Sequence, residues 1–329
     1  MAGDLRVVPI LAVASGKGGV GKTTVAVNLA LALRAAGRRV GLVDADLYGP
    51  DIPRMMGLRR QATASSVTVY AAGGLRGARL EAVDRYGVQL ASAGFLIGPD
   101  QALGLHAGLA QAIVSRLITQ TEWVQDTDCL VVDLPPGTAD IQQLVFGQRG
   151  RKVIVVVVVT PQVVAHQDVR RLIADLDRHP ALAVGGIENM AGFTCPCCGT
   201  TTPLFPAAPD AESIWTQVTK LASIPFSPKA AADADEGRPV MLTRSVTEQV
   251  AAYESAAAQL QVFLSLLRTA PGHGNTQRGM ITAPLGASAS VISRRRDAGP
   301  DPDQPCGQPA ATRRADRAER AARGGRLHR

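Results

Sequence analysis

Ten consecutive residues, Ser15-Gly16-Lys17-Gly18-Gly19-Val20-Gly21-Lys22-Thr23-Thr24, constrain this chain more than any other feature. The stretch before them, Val7 to Ala14, is an apolar run containing Val, Ile and Leu and reads as a buried strand. The stretch after, Thr24 to Ala36, sets small and aliphatic residues at helical spacing. A strand, a glycine-rich turn and a helix in that order make a phosphate-binding loop. Gly16 and Gly21 permit the sharp turn that aims successive backbone N–H groups at phosphate oxygens, at the positive end of the helix that follows. In such a loop Lys22 reaches the β and γ phosphates, and the Thr23 hydroxyl completes the shell of a Mg²⁺ ion. Lys17 is a second lysine that the minimal loop does not need. A glycine-rich turn that matches by accident would lack the flanking strand and helix.

Two more apolar runs end in acids. Val40-Gly41-Leu42-Val43 leads into Asp44-Ala45-Asp46, and Cys129-Leu130-Val131-Val132 leads into Asp133. Strands of this kind are buried in parallel sheets, whose carboxyl edge is where ligands bind, so Asp44, Asp46 and Asp133 are expected beside the phosphates. After Asp133 comes Leu134-Pro135-Pro136-Gly137-Thr138, a stiff turn suited to sensing a γ-phosphate. Ordinary solvated or strand-terminating aspartates are the alternative reading.

The body alternates strand and helix: strand near 6–14, helix 22–36, strand 39–44, helix 106–120, strand 128–133, a helix from about 139, strand 152–159, helix 163–178 and strand 182–188. This pattern predicts an α/β fold, a doubly wound, mostly parallel sheet of the P-loop NTPase type, wrapped on both faces. Ser66 to Tyr70 and Val88 to Ser92 are expected to add strands at one margin. Residues 246–267 are expected to form a closing helix whose stripe of Val250, Tyr253, Ala257, Leu260 and Leu264 faces the core rather than a membrane. The longest apolar run, Val153 to Val159, is too short to cross a bilayer, and with Asp4 and Arg6 near the amino end no signal peptide is expected. A cytoplasmic location without a membrane partner is expected.

The net charge of +7 sits entirely in the carboxyl end. Residues from Arg268 onward carry twelve Arg, no Lys and five acids, which leaves the rest of the chain balanced. Two parts follow: an ATPase domain over 1–267 that includes the cysteine site, and a basic tail over 268–329 expected to lack stable structure. A neutral body argues against specific nucleic-acid binding.

Three of the five cysteines fall within Cys195-Pro196-Cys197-Cys198-Gly199. Cys195 and Cys198 form a C-x-x-C pair, whose spacing lets two thiolates converge on one metal centre. Two ligands are too few to close a tetrahedral zinc site or an iron–sulfur site; a second subunit could supply the other two. Either metal satisfies that arithmetic. Cys129, inside a strand, and Cys306, in the tail, read as incidental thiols.

With its extra Lys17, the phosphate loop resembles the deviant Walker A ATPases, the group of MinD, ParA and the nitrogenase iron protein. Ile187-Glu188-Asn189-Met190-Ala191-Gly192-Phe193-Thr194 and the cysteines after it are similar to a segment of the Mrp/ApbC iron–sulfur cluster carriers within that group. So are Gly94-Phe95-Leu96, Asp133 to Thr138, Thr160-Pro161-Gln162, Ile224-Pro225 and Asp235-Glu236-Gly237-Arg238-Pro239-Val240. The match covers about residues 8 to 265. Two departures stand out: Leu103-Gly104-Leu105-His106 replaces the usual Trp-Arg-Gly-Pro, and Phe205-Pro206-Ala207-Ala208-Pro209 replaces a glycine-rich stretch.

The resemblance implies a slow ATPase that pairs face to face around two nucleotides and delivers clusters to apo-proteins. Gly16, Lys17, Gly18, Gly19, Val20, Gly21, Lys22, Thr23 and Thr24 would cradle ATP, with Lys17 serving the nucleotide of the facing subunit. Asp44 would hold a magnesium-bound water, Asp46 would orient the attacking water, and Asp133 would be the Walker B carboxylate. Asn189 would read the adenine edge. Cys195 and Cys198 from two subunits would bridge a [4Fe–4S] cluster. A DNA- or membrane-positioning ATPase of the ParA/MinD type and a zinc-bound regulatory nucleotide-binding protein are the alternatives.

Overall fold

The computed structural model describes residues 8–58, 80–95, 107–137, 139–148, 150–195 and 198–269. The strand expected at Ser66–Tyr70 lies outside these residues, as do Leu96, Leu103–His106, Thr138, Cys197 and the tail beyond Thr269.

The central sheet is built on β1 (Ile10–Ala14), flanked in parallel by β7 (Cys129–Asp133) and β8 (Val153–Val159). On the β7 side follow β2 (Val40–Asp44) and β5 (Val88–Ser92), both parallel, and then β4 (Val83–Arg85), the antiparallel edge. On the β8 side follow β9 (Leu182–Thr194) and β11 (Lys220–Phe226), both parallel. A separate two-stranded parallel pair joins β3 (Leu80–Glu81) to β6 (Thr121–Glu122). The expected doubly wound, mostly parallel sheet is present, and the margin strand expected at 88–92 is β5. Sequence reading missed the edge strand β11 and ended β9 too early. Pro225 inside β11 and the Gly185-Gly186 pair inside β9 weaken the usual strand signals there.

Burial follows the two-residue period of a strand. Leu11 and Val13 of β1 face one core, whereas Ile10, Ala12 and Ala14 face the other. The first core is closed by α1 (Lys22–Ala35), α2 (Ile52–Met55), α6 (Pro228–Asp235), α7 (Val240–Thr243) and α8 (Thr247–Thr269). The second is closed by α3 (Ala107–Thr119), α4 (Ala139–Phe146) and α5 (Val163–Leu176). Among the described residues, α8 is the one helix long and apolar enough to cross a bilayer. It instead packs on α1 and β11, with Val250, Tyr253, Ala257, Leu260 and Leu264 at most 3% exposed. Each such aliphatic side chain gains about 1.5–3 kcal/mol from burial, so the stripe expected from the sequence belongs to the core.

The arrangement sets the carboxyl ends of β1, β2 and β7 side by side. Asp44 pairs with Asp133 across β2 and β7, and Val13 pairs with Asp133 across β1 and β7. Residues 194–202, with β10 (Thr201–Thr202), fall outside the compact unit that holds the phosphate loop.

Candidate functional site

The phosphate loop leaves β1 at Ala14 and enters α1 at Lys22 through Gly21, whose φ of 83° is left-handed and favours glycine. Two of its glycines are also required by crowding. A Cβ on Gly16 would stand 2.4 Å from the carbonyl carbon of Asp168 on α5, and one on Gly21 would stand 2.2 Å from the Asn189 Nδ2. On the exposed rim of the loop, by contrast, Gly19 faces open space and a Cβ on Gly18 would meet only the Pro136 ring, at 3.8 Å, which leaves the backbone open to an anion. The Ser15 hydroxyl donates to the Lys17 carbonyl (2.8 Å) and braces the turn. Helix α1 has no side-chain cap and no acid in its first turn, so its positive end is left for a ligand.

Lys22 is 7% exposed, and its charge acts on Asp133. Asp133 is fully buried and neither carboxylate oxygen makes a hydrogen bond of normal geometry. Burial raises its pKa from 3.8 to about 6 despite the opposing Lys22 charge and the nearby Thr23 hydroxyl. Asp44 is also fully buried, and its carboxyl is pushed well above the usual range, first by burial and second by the charge of Asp133. The Ser92 hydroxyl donates to Asp44 Oδ2 (2.8 Å), and the Asp46 backbone N–H donates to Asp44 Oδ1 (3.3 Å). Asp46 is half-buried and accepts from the Gly49 N–H (3.2 Å).

Two carboxylates buried side by side stay costly even beside the single Lys22 charge, since burial still lifts the Asp133 pKa, and the pair calls for further positive charge. A divalent cation beside the Thr23 hydroxyl supplies that charge, so the donor set fits Mg²⁺. The three acids expected at the sheet edge are therefore brought together. Ser92, which sequence reading had not singled out, fixes one of them; the only signal was its place at the end of a strand.

Beyond α1 opens a cleft of about 130 Å³ lined by Gly21, Thr24, Asn189, Ile224, Pro225 and Tyr253, among others. Asn189 sits on β9, and its Nδ2 donates to the Val20 carbonyl (2.8 Å), so its Oδ1 is left as the acceptor. Met190 follows with a left-handed φ of 56°, unusual for a side-chain-bearing residue. The pairing of β9 with β11 shifts register around this point. Gln249 of α8 donates through Nε2 to the Pro225 carbonyl (2.7 Å) and holds the far wall. Sequence reading reached Asn189, Ile224 and Pro225; Gln249 and Tyr253 come from a helix distant in sequence.

The cysteine hairpin folds back on itself. The Cys195 N–H donates to the Thr200 carbonyl (2.9 Å) and the Gly199 N–H to the Cys195 carbonyl (2.8 Å), with Gly199 at a left-handed φ of 72°. The Thr194 and Thr201 hydroxyls meet at 3.1 Å, and the Cys198 thiol donates to the Thr200 hydroxyl (3.4 Å). Cys195 is half-buried and Cys198 exposed. Among the described residues, no third His, Cys, Asp or Glu side chain joins Cys195 and Cys198 in a metal-holding group.

Comparison with known proteins adds to this geometry. A ParA family model, described as the NUBPL iron-transfer P-loop NTPase, matches residues 6–261. An iron–sulfur cluster carrier protein of Escherichia coli K12 is 37% identical over 251 residues, 75% of this chain and 64% of the relative. Its counterpart in Aquifex aeolicus is 37% identical over 253 residues, 76% of this chain and 66% of the relative. The chain thus spans a little under two thirds of the length of these relatives. Among solved structures, a nucleotide-binding protein from Archaeoglobus fulgidus in complex with ADP is 28% identical, with a TM-score of 0.52 over 69% of this chain and 86% of that one. The septum site-determining protein MinD of Pyrococcus horikoshii, complexed with Mg-ADP, has the same fold at 19% identity, with a TM-score of 0.58 over 79% of this chain and 98% of that one.

Proposed function

We propose, from the premise that this chain belongs to the NUBPL-type iron-transfer P-loop NTPase family, that it is a cytoplasmic, homodimeric ATPase that carries a [4Fe–4S] cluster between subunits and delivers it to apo-proteins. The observation that carries the reading is that β9 holds Asn189 at the nucleotide cleft and runs on directly into Cys195. One strand thus serves both the ATP site and the cargo site.

ATP fits the site as substrate. Residues Gly16 to Thr24 would cradle its phosphates, and Asn189 Oδ1 would accept from the 6-amino group of adenine. Mg²⁺, with Thr23, Asp44 and Asp133 as the side chains that would hold it or its waters, would neutralise phosphate charge. Asp46, at the mouth of the acid cluster, orients the attacking water. Lys22 and, from the facing subunit, Lys17 stabilise charge on the transferred phosphoryl group. Hydrolysis at the rate of a switch suits a carrier better than rapid turnover.

The cluster is cargo rather than a resident cofactor. One chain offers Cys195 and Cys198, and a second copy of the hairpin completes four thiolates. The exposure of Cys198 supports sharing across a dimer. The test is anaerobic reconstitution with iron and sulfide: about four iron per dimer are expected, one cluster in all. Zinc at one ion per dimer with no sulfide would replace the iron–sulfur reading, and a monomer that takes up neither would end it.

A further inference from the structure

Residues 194–202 are flanked in the chain by one segment that touches the phosphate loop and by another that is tied to α5. On the amino side, β9 is tied to the loop by the bond from Asn189 to the Val20 carbonyl. On the carboxyl side, residues 203–214 run as a strap along α5. The Ala208 N–H donates to the Pro161 carbonyl (2.9 Å). Arg170 donates through Nη1 to the Ala211 carbonyl (2.9 Å), and Gln167 donates through Nε2 to Glu212 Oε2 (2.6 Å). At the end of the strap the Ile214 N–H donates to His166 Nδ1 (3.2 Å), with the Trp215 ring edge-on to the imidazole at 5.7 Å. His166 is 1% exposed, and burial holds its pKa below the ordinary value, which keeps Nδ1 an acceptor.

Helix α5 is in turn fitted to the phosphate loop. The close approach of Gly16 to the Asp168 backbone leaves no slack between them. At its amino end, Gln162 Oε1 accepts from Lys17 Nζ at 3.4 Å, near the limit of a hydrogen bond. Lys17 is exposed, and this long contact is readily exchanged for a phosphate. Gln162 follows Pro161, whose carbonyl holds the strap. The spare lysine and the strap are therefore anchored to adjacent residues.

We propose that α5, with its Pro161-Gln162 turn, is the element through which the state of the phosphate loop reaches the cysteine hairpin. With Lys17 on Gln162 the turn and the strap are held in the arrangement described. When Lys17 leaves for nucleotide phosphate, the turn and the α5 amino end shift, and the strap carries the shift to Pro203 and the thiols beyond it. A packed interface of this kind transmits small shifts because it has few intermediate arrangements. The proposal rests on the proposed function for the identity of the cargo and for the pairing that brings Lys17 to a nucleotide phosphate; the mechanical route concerns the thiols themselves.

The experiment uses the full chain without cluster and measures the alkylation rate of the peptide bearing Cys195 and Cys198 by mass spectrometry, with and without ATP and Mg²⁺. In the wild type ATP changes that rate by at least about five-fold, the lower end of ordinary coupling between sites. The double variant Gln167→Ala, Arg170→Ala, which loosens the strap while leaving the phosphate loop untouched, keeps its ATP turnover, and its response to ATP falls below about two-fold. Arg244→Ala, which removes the exposed pair with Glu254, keeps the wild-type response and controls for the loss of a surface charge. A wild type indifferent to ATP, or a strap variant that responds as the wild type does, overturns the proposal. Iron uptake is scored separately: failure there with the thiol response intact discards the cluster and leaves the relay standing.

Discussion

Asp133→Asn tests whether the buried acid pair is a cation site held at a cost to the fold. Its native pKa of about 6 lies above the unfolded value of 3.8. The native state therefore binds more protons than the unfolded chain between about pH 4 and pH 6, and stability falls as pH rises through that window. At 1.36 kcal/mol per unit, the charged form costs roughly 3 kcal/mol at pH 8. Asn keeps the shape and removes the charge, and it also relieves Asp44, for which Asp133 is the second cause of an elevated pKa. For a body of this size, about 2–4 °C per kcal/mol converts the effect to a gain on the order of 6–12 °C in Tm without nucleotide or Mg²⁺. Calorimetry across pH is the assay. The gap should narrow as pH is lowered toward 4.5, and it should reverse with Mg-ATP, which stabilises the wild type alone. A variant no more stable than the wild type at pH 8, or a gain that does not change with pH, would refute the argument.

Asp46→Ala should lower phosphate release by on the order of 10²-fold while nucleotide binding measured by calorimetry persists, because the water loses its orienting group. Gly16→Ala should weaken nucleotide binding and stability together: its Cβ has nowhere to go but into the Asp168 backbone, and overpacking of that kind costs about 1–3 kcal/mol. Cys195→Ala and Cys198→Ala should each abolish iron uptake on anaerobic reconstitution, with Cys197→Ala milder; equal loss from all three would overturn the choice of ligands. Asn189→Ala should weaken ATP binding and reduce the preference over GTP, read as a ratio of dissociation constants. The loss of a buried partner for the Val20 carbonyl also predicts a modest fall in Tm.

What the sequence made legible follows from range. The phosphate loop, the two acid-ended strands and the apolar stripe of α8 are local patterns, and local sterics and periodicity decide them. Asp44 and Asp133 are far apart in the chain, yet both end apolar strands, and the rule that parallel strands share one carboxyl edge is enough to bring them together. The relations that regulate such a site are of another kind. Nothing in Ser92, Gln162 or Gln249 alone marks the first as a donor to Asp44, the second as the rest position of Lys17, or the third as the prop of Pro225. Each is a polar bond between elements distant in sequence, made after the sheet has chosen its neighbours. The strap over α5 is the extreme case. Its composition, Phe205-Pro206-Ala207-Ala208-Pro209, reads as a loop and a departure from the family pattern. Its three ties to α5 and the one to Pro161 just before it exist only because β9 returns the chain to that side of the sheet. A segment without helical or strand period is thereby held as firmly as a regular element. Its stiffness comes from partners outside itself, which is the property a mechanical link requires.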